Sequence, residues 1–239
     1  MAVPRVVPLL ISRADECTQA IAKIYRTCQN KTIAFDSEGV RLSRTGPICL
    51  CQVATASNCV YLFDVSTGGA SLFDAGLRRL LEDTAITKCM HDCRADSDAL
   101  FHQFQVNLSN VYDTQLAYAM LQSQTHDGRF PLPIGLKRLL ELHGYSNPYK
   151  EQVVQLMDSD RQIWARRPIQ ETLLQYASYD VANLMDVKAQ QEPEMTSPIL
   201  LAEFRARCRR YLDQYRKHPT EFKHATAQYG WHDWDSRRW

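Results

Sequence analysis

Three short segments, KTIAFDSEG (31–39), PICLCQVAT (47–55) and CVYLFDV (59–65), follow one another with only a few residues between them. Each is rich in β-branched, aromatic and other apolar residues and so reads as a strand. The spacers carry turn residues, Thr45-Gly46-Pro47 and Ser57-Asn58. They are shorter than the dozen or so residues a parallel crossover needs. The three strands are therefore expected to form an antiparallel meander. Downstream the pattern changes to a helix over 70–82, a short strand at ITKCM, and a helix from about 92 to 104. VYDTQLAYAML then reads as an abrupt strand-to-helix transition with Asp113 or Thr114 near the cap. A meander followed by strands alternating with helices predicts an α/β fold with a central mixed sheet flanked by helices.

The rest of the chain reads as helix and loop. Residues 13–28 form an amphipathic helix, with Ser12 as its cap and Ala20, Ile21, Ile24 and Cys28 as its apolar stripe. QTHDGRFPLP (124–133) is the clearest loop. IGLKRLLELHGY is a helix ended by Gly144. Residues 145–167 are mixed, with one short helix. Pro168 suits a first helical position, and a helix of about 20 residues is expected from there. After Pro193 and Pro198 comes a charged helix over 199–216, with Leu200, Leu201, Phe204, Cys208, Tyr211, Leu212 and Tyr215 at helical period. The final stretch holds three of the four tryptophans. The expected division is a main domain over 1–192 and a C-terminal helix with an aromatic tail over 193–239. That helix and tail are the expected contact for a protein partner or a second copy.

Composition narrows the class. Hydrophobic residues make up 45% and charged residues 23%, the balance of an ordinary globular protein. No run reaches the roughly 18 to 20 apolar residues of a membrane helix, so no membrane span is expected. The eight cysteines include no paired C-x-x-C pattern, and the start MAVPRVVPLL lacks the features of a secretion signal. Reduced thiols in an intracellular protein, cytoplasmic or nuclear, are the expectation. A net charge of +1 gives no bulk positive field, but RQIWARR (161–167) and RARCRRYLDQYRK (205–217) are local basic patches.

The chemistry-bearing residues are acids in structured positions. Asp36 and Glu38 end an apolar strand run and, at i and i+2, face the same way, with Ser37 opposite. A D-x-E pair is common on surfaces, so by itself it leaves a surface reading open. Asp96 lies one turn into its helix, where a surface aspartate is the default. Tyr176 and Asp180, four apart, share a helical face with Leu173 and Leu184, which marks that face as inward. An aspartate there needs a metal or a partner, because burying a lone carboxylate is costly.

Taken together these motifs resemble the DEDD superfamily of 3′–5′ exonucleases, in its tyrosine-bearing, ribonuclease D-like subgroup. D-x-E after a strand matches Asp36 and Glu38; the helical aspartate after a strand and histidine matches Asp96 in KCMHDCRADSDAL; Y-x-x-x-D matches Tyr176 and Asp180. YDTQLAYAML, IGLKRLL and WARRPIQETLLQYASYDV resemble the linking segments, and the likeness runs from about residue 30 to 190. HDCR and DTQ resemble the branch of exonuclease 3′–5′ domain-containing proteins and Egalitarian, some members of which lack catalytic acids and act as RNA-binding or scaffold proteins. This chain keeps all four acids and the tyrosine.

The resemblance implies a ribonuclease H-like fold and a metal-dependent 3′–5′ exoribonuclease that releases nucleoside 5′-monophosphates from single-stranded RNA. It implies two ions, Mg²⁺ or Mn²⁺, held by Asp36, Glu38, Asp96 and Asp180. Glu38 would also contact the terminal 3′-hydroxyl, and Tyr176 would orient the attacking water. Lys137, Arg167 and His126 are the candidate nucleic-acid contacts. A nonenzymatic RNA-binding adaptor and a DNA exonuclease are the alternatives.

Overall fold

The computed structural model describes residues 6–28, 31–55, 59–125 and 132–219. Six strands form one mixed sheet: β1 (Val7–Ile11), β2 (Thr32–Gly39), β3 (Ile48–Ala54), β4 (Cys59–Phe63), β5 (Thr87–Met90) and β6 (Val111–Asp113). Their order is β1-β4-β3-β2-β5-β6. β3 runs antiparallel to β2 and β4, which is the expected meander, while β1–β4, β2–β5 and β5–β6 are parallel. Every residue of β3 is buried, as a central strand covered on both faces requires. Gly39 closes β2 because a Cβ there would stand 2.2 Å from the Pro47 carbonyl oxygen.

Eight longer helices accompany the sheet: α1 (Ala14–Thr27), α2 (Arg94–Phe104), α3 (Thr114–Thr125), α4 (Leu136–Leu142), α5 (Lys150–Ser159), α6 (Glu171–Ala182), α7 (Leu184–Gln191) and α8 (Pro198–Lys217). α6 lies across β1, β4, β3 and β2, which turns its inner face toward the sheet. Among the described residues no helix is long and apolar enough to cross a membrane.

Several local expectations need correction. β1 was not foreseen, since its short sequence VPLLI carries a proline. The cap of α1 is Arg13 rather than Ser12, whose backbone N–H donates to Glu16. The single helix expected over 70–82 is a chain of short helical pieces from Val65 to Glu82, interrupted where Gly76 takes φ 128°. The long helix expected from Pro168 starts only at Glu171 and breaks at Asn183, whose φ of −105° and ψ of 0° separate α6 from α7.

The C-terminal helix is part of the main body. Ser197 caps α8, and Phe204, Cys208, Tyr211 and Leu212 bury their side chains in the common core. Ser97 in α2 donates to the Leu212 carbonyl at 2.7 Å, and Arg94 stacks on Tyr211 and Tyr215 at 4.8 and 5.1 Å. Arg44, in the β2–β3 connection, donates to Asp98 of α2 and to the Tyr215 carbonyl. The helix packs chiefly on α2, and Phe204 meets the Tyr112 ring of β6 at 4.8 Å. The tryptophans Trp231, Trp234 and Trp239 lie outside the described residues.

Candidate active site

Asp36 and Glu38 project from the same face of β2, and α6 brings Asp180 onto that face. Carboxylate oxygens of Asp36, Glu38 and Asp180 all lie within 4.8 Å of one another. Asp36 and Glu38 are half-buried and Asp180 is buried. Crowding acids in a poorly hydrated place favours their protonated forms. Burial, followed by the neighbouring Asp96, Glu38 and Asp180, holds the Asp36 carboxyl well above its ordinary range. Burial and Asp180 push Glu38 up to about 8, against the opposing pull of Lys150.

Asp96 arrives from the first turn of α2, which starts directly after β5. Its carboxylate accepts a hydrogen bond from the Ser37 hydroxyl, and it is the charged neighbour that weighs most on Asp36. Burial raises Asp96 to about 7, although the Ser37 hydrogen bond works in the other direction. Asp36, Glu38 and Asp180 form the tightest group, and Asp96 acts on Asp36 from α2, held by Ser37. Ser37, read from sequence as merely facing away, is the link between them.

The loop leading into α5 supplies groups that sequence reading missed. Asn147 donates to the Asp180 carboxylate at 2.8 Å and to the Tyr176 carbonyl at 3.0 Å. The Lys150 ammonium donates to the Tyr176 hydroxyl at 2.5 Å and stands 3.9 Å from Asp180. The Trp164 ring lies 6.0 Å from the Tyr176 ring and backs it. Asn147 and Lys150 sit in the stretch that read only as mixed, and NPYK carries no spacing signal of its own.

The donor set fits a divalent cation. Clustered carboxylate oxygens suit hard ions such as Mg²⁺ and Mn²⁺. The upward shifts of Asp36 and Glu38 mark negative charge that the protein leaves only partly compensated. Gln52, the cross-strand partner of Asp36, has both side-chain amide atoms buried without a hydrogen-bond partner.

The other expected residues have different surroundings. Arg167 is bound into the fold: it chelates Asp64 and donates to the carbonyls of Trp164, Arg166 and Cys49. The guanidinium is thus engaged within the fold, with 24% of the side chain exposed. Lys137 is exposed and pairs with Glu151, the sequence neighbour of Lys150, at 2.5 Å. His126 lies outside the described residues. His91 bridges Thr114 and the Ile134 carbonyl, both at 3.0 Å, in keeping with a packing role. Asp113 accepts from the backbone N–H groups of Asp92, Cys93, Gln115 and Leu116, and so ties the turn before α2 to the start of α3. The bonds to Gln115 and Leu116 make it the cap expected at this strand-to-helix transition. All eight cysteines are free thiols.

Comparison with known proteins agrees with this architecture. The family described as 3′-5′ exonuclease matches residues 11–196. The human protein named piRNA biogenesis protein EXD1 is 33% identical over 184 residues, covering 74% of this chain and 35% of its own length. Its Xenopus laevis counterpart is 36% identical over 211 residues, covering 85% of this chain and 46% of its own length. The chain thus spans less than half the length of these relatives. Among solved structures, Trypanosoma brucei RNase D in complex with GMP superimposes with a TM-score of 0.75. That match is 24% identical and covers 87% of this chain and 64% of the other. Family match, mixed sheet and acid cluster agree: the chain belongs to the 3′–5′ exonuclease family, within the DEDD, ribonuclease D-like superfamily.

Proposed function

We propose that this chain is a metal-dependent 3′–5′ exoribonuclease that releases nucleoside 5′-monophosphates from single-stranded RNA ends. The observation that carries the reading is the meeting of Asp36, Glu38 and Asp180 within 4.8 Å, on a strand and a helix whose Tyr176 stands one turn from Asp180. Asp36, Glu38 and Asp180 would hold Mg²⁺ or Mn²⁺, and Asp96 would complete a second ion's ligands next to Asp36. Bound ions of this kind make hydroxide available at neutral pH and offset charge on the phosphate and the leaving oxygen.

The chain's own groups do the positioning. The Tyr176 hydroxyl orients the attacking water; with an ordinary phenol pKa of about 10 it is a poor base at neutral pH. Glu38 accepts a hydrogen bond from the terminal 3′-hydroxyl, which restricts cleavage to chain ends. Lys137, exposed on α4 and paired with Glu151 of α5, is the candidate phosphate contact. Base preference is weak if the strand is held through its backbone and by stacking. The test is a 5′-labelled RNA with Mn²⁺, wild type beside Asp36→Ala. A ladder with wild type alone supports the reading; a ladder with both proteins, or with neither, refutes it. Matched RNA and DNA in competition separate an exoribonuclease from a DNA exonuclease. One observation favours a nonenzymatic RNA-binding adaptor: Asp96 is bonded to Ser37 outside the three-acid cluster. RNA binding without cleavage by the wild type would select that reading.

A further inference from the structure

We propose that Lys150 is a positioning residue that sets the direction of the Tyr176 hydroxyl at the metal site. The inference deepens the exonuclease reading and rests on it for its catalytic consequence. An ammonium has three hydrogens and no lone pair. At 2.5 Å from Tyr176 Oη, Lys150 Nζ can only donate. The phenol oxygen is therefore the acceptor of that bond, and its own hydrogen must point away from Lys150. The Lys150 bond thus limits the directions open to the Tyr176 hydroxyl hydrogen.

The backbone around Lys150 is built to hold it there. Lys150 opens α5, with Tyr149 as the cap residue. The Tyr149 N–H donates to Asn147 Oδ1 at 3.0 Å, while Asn147 Nδ2 bonds Asp180 and the Tyr176 carbonyl on α6. One four-residue turn thus grips Asp180, the Tyr176 backbone and the Tyr176 hydroxyl. The ammonium also lies 4.7 Å from the Tyr176 ring centre, and its side chain is only 16% exposed. It is 3.9 Å from the nearest Asp180 oxygen, beyond hydrogen-bond distance, so its short bond is to the phenol. A cation so close to the carboxylates opposes a bound metal ion by like-charge repulsion.

The test uses the full chain and the variants Lys150→Met, Lys150→Gln and Lys150→Arg, with tyrosine ¹³C-labelled at Cζ and Tyr176→Phe to assign the resonance. We expect the Tyr176 resonance to move in the Met and Gln variants and to return toward its wild-type position in the Arg variant. Titration should show Mn²⁺ affinity unchanged or tighter in the Met and Gln variants. On RNA, kcat should fall on the order of 100-fold, the scale of a misplaced reacting group. KM should stay within about threefold, and the Arg variant should recover part of kcat. A resonance that stays in place overturns the proposal. So does weaker Mn²⁺ binding, which would make Lys150 a prop for the carboxylates. A raised KM with kcat intact also overturns it, since Lys150 would then grip RNA. A wild type that binds Mn²⁺ but releases no mononucleotide refutes the exonuclease reading instead, and the resonance and Mn²⁺ titrations still decide for or against Lys150.

Discussion

Replacing Arg167 with methionine separates a structural cation from a substrate contact. The guanidinium makes two 2.9 Å bonds from Nε to the two Asp64 oxygens, and bonds of 2.8, 2.8 and 3.1 Å to the carbonyls of Trp164, Arg166 and Cys49. The Asp64 side chain is 5% exposed and that of Arg167 24%. Removing Arg167 strands a buried carboxylate whose remaining partners are the N–H and hydroxyl of Thr67. Breaking a buried pair from one side costs about 3–5 kcal/mol, and the partial exposure of Arg167 points to the lower end, ~3 kcal/mol. In a domain of this size that loss lowers Tm by roughly 6–12 °C. Urea unfolding should show a lower midpoint at constant slope. Asp64→Asn in the Arg167→Met background should recover part of the loss, because it removes the stranded charge. RNA affinity of the folded variant should match wild type. A stability loss below about 1 kcal/mol, or weaker RNA binding at full stability, would refute the assignment of Arg167 to the fold.

Two further predictions concern the acid cluster and the C-terminal helix. The folded-state carboxyls of Glu38 and Asp96 stand at about 8 and about 7, above their ordinary 4.5 and 3.8. Between these values the folded chain binds more protons than the unfolded chain, so stability is full at low pH and is lost as pH rises through the folded-state values. In EDTA, Tm should therefore decline from acid pH toward about pH 8, and the Tm gained on adding Mn²⁺ should grow over the same window. A metal-free Tm that rises across that window would contradict the uncompensated cluster. Tyr211→Ala removes a buried ring stacked on Arg94 and should cost on the order of 3 kcal/mol by denaturant unfolding. It should also slow RNA cleavage, since Arg94 and Asp96 share the first turn of α2. A variant of wild-type stability would contradict the packing of α8 on α2.

What could be read from the sequence followed from local pattern. β2, β3 and β4 are legible in composition and short spacers, and the i, i+2 and i, i+4 rules pair Asp36 with Glu38 and Tyr176 with Asp180. β1 was missed because a five-residue edge strand with a proline has almost no local signal; its pairing with β4, more than 40 residues away, makes it a strand. The break at Asn183 hides in a continuous run of helix formers. Asp96 was assigned by resemblance alone, and its bond to Ser37 depends on how α2 meets the sheet. Asn147 and Lys150 have roles set entirely by the docking of one turn onto α6. Arg167 looked like a phosphate ligand because charge was visible in the sequence and Asp64, 103 residues away, was not recognisable as its partner.

The most direct measurement of the central claim is cleavage of single-stranded RNA in ¹⁸O-labelled water with Mn²⁺, followed by mass spectrometry of the released products. Water attack at the terminal phosphodiester predicts nucleoside 5′-monophosphates, one per step, with ¹⁸O on the phosphate and none in the shortened RNA. Intact RNA, cyclic phosphates or internal fragments, from protein shown to bind Mn²⁺, would contradict it.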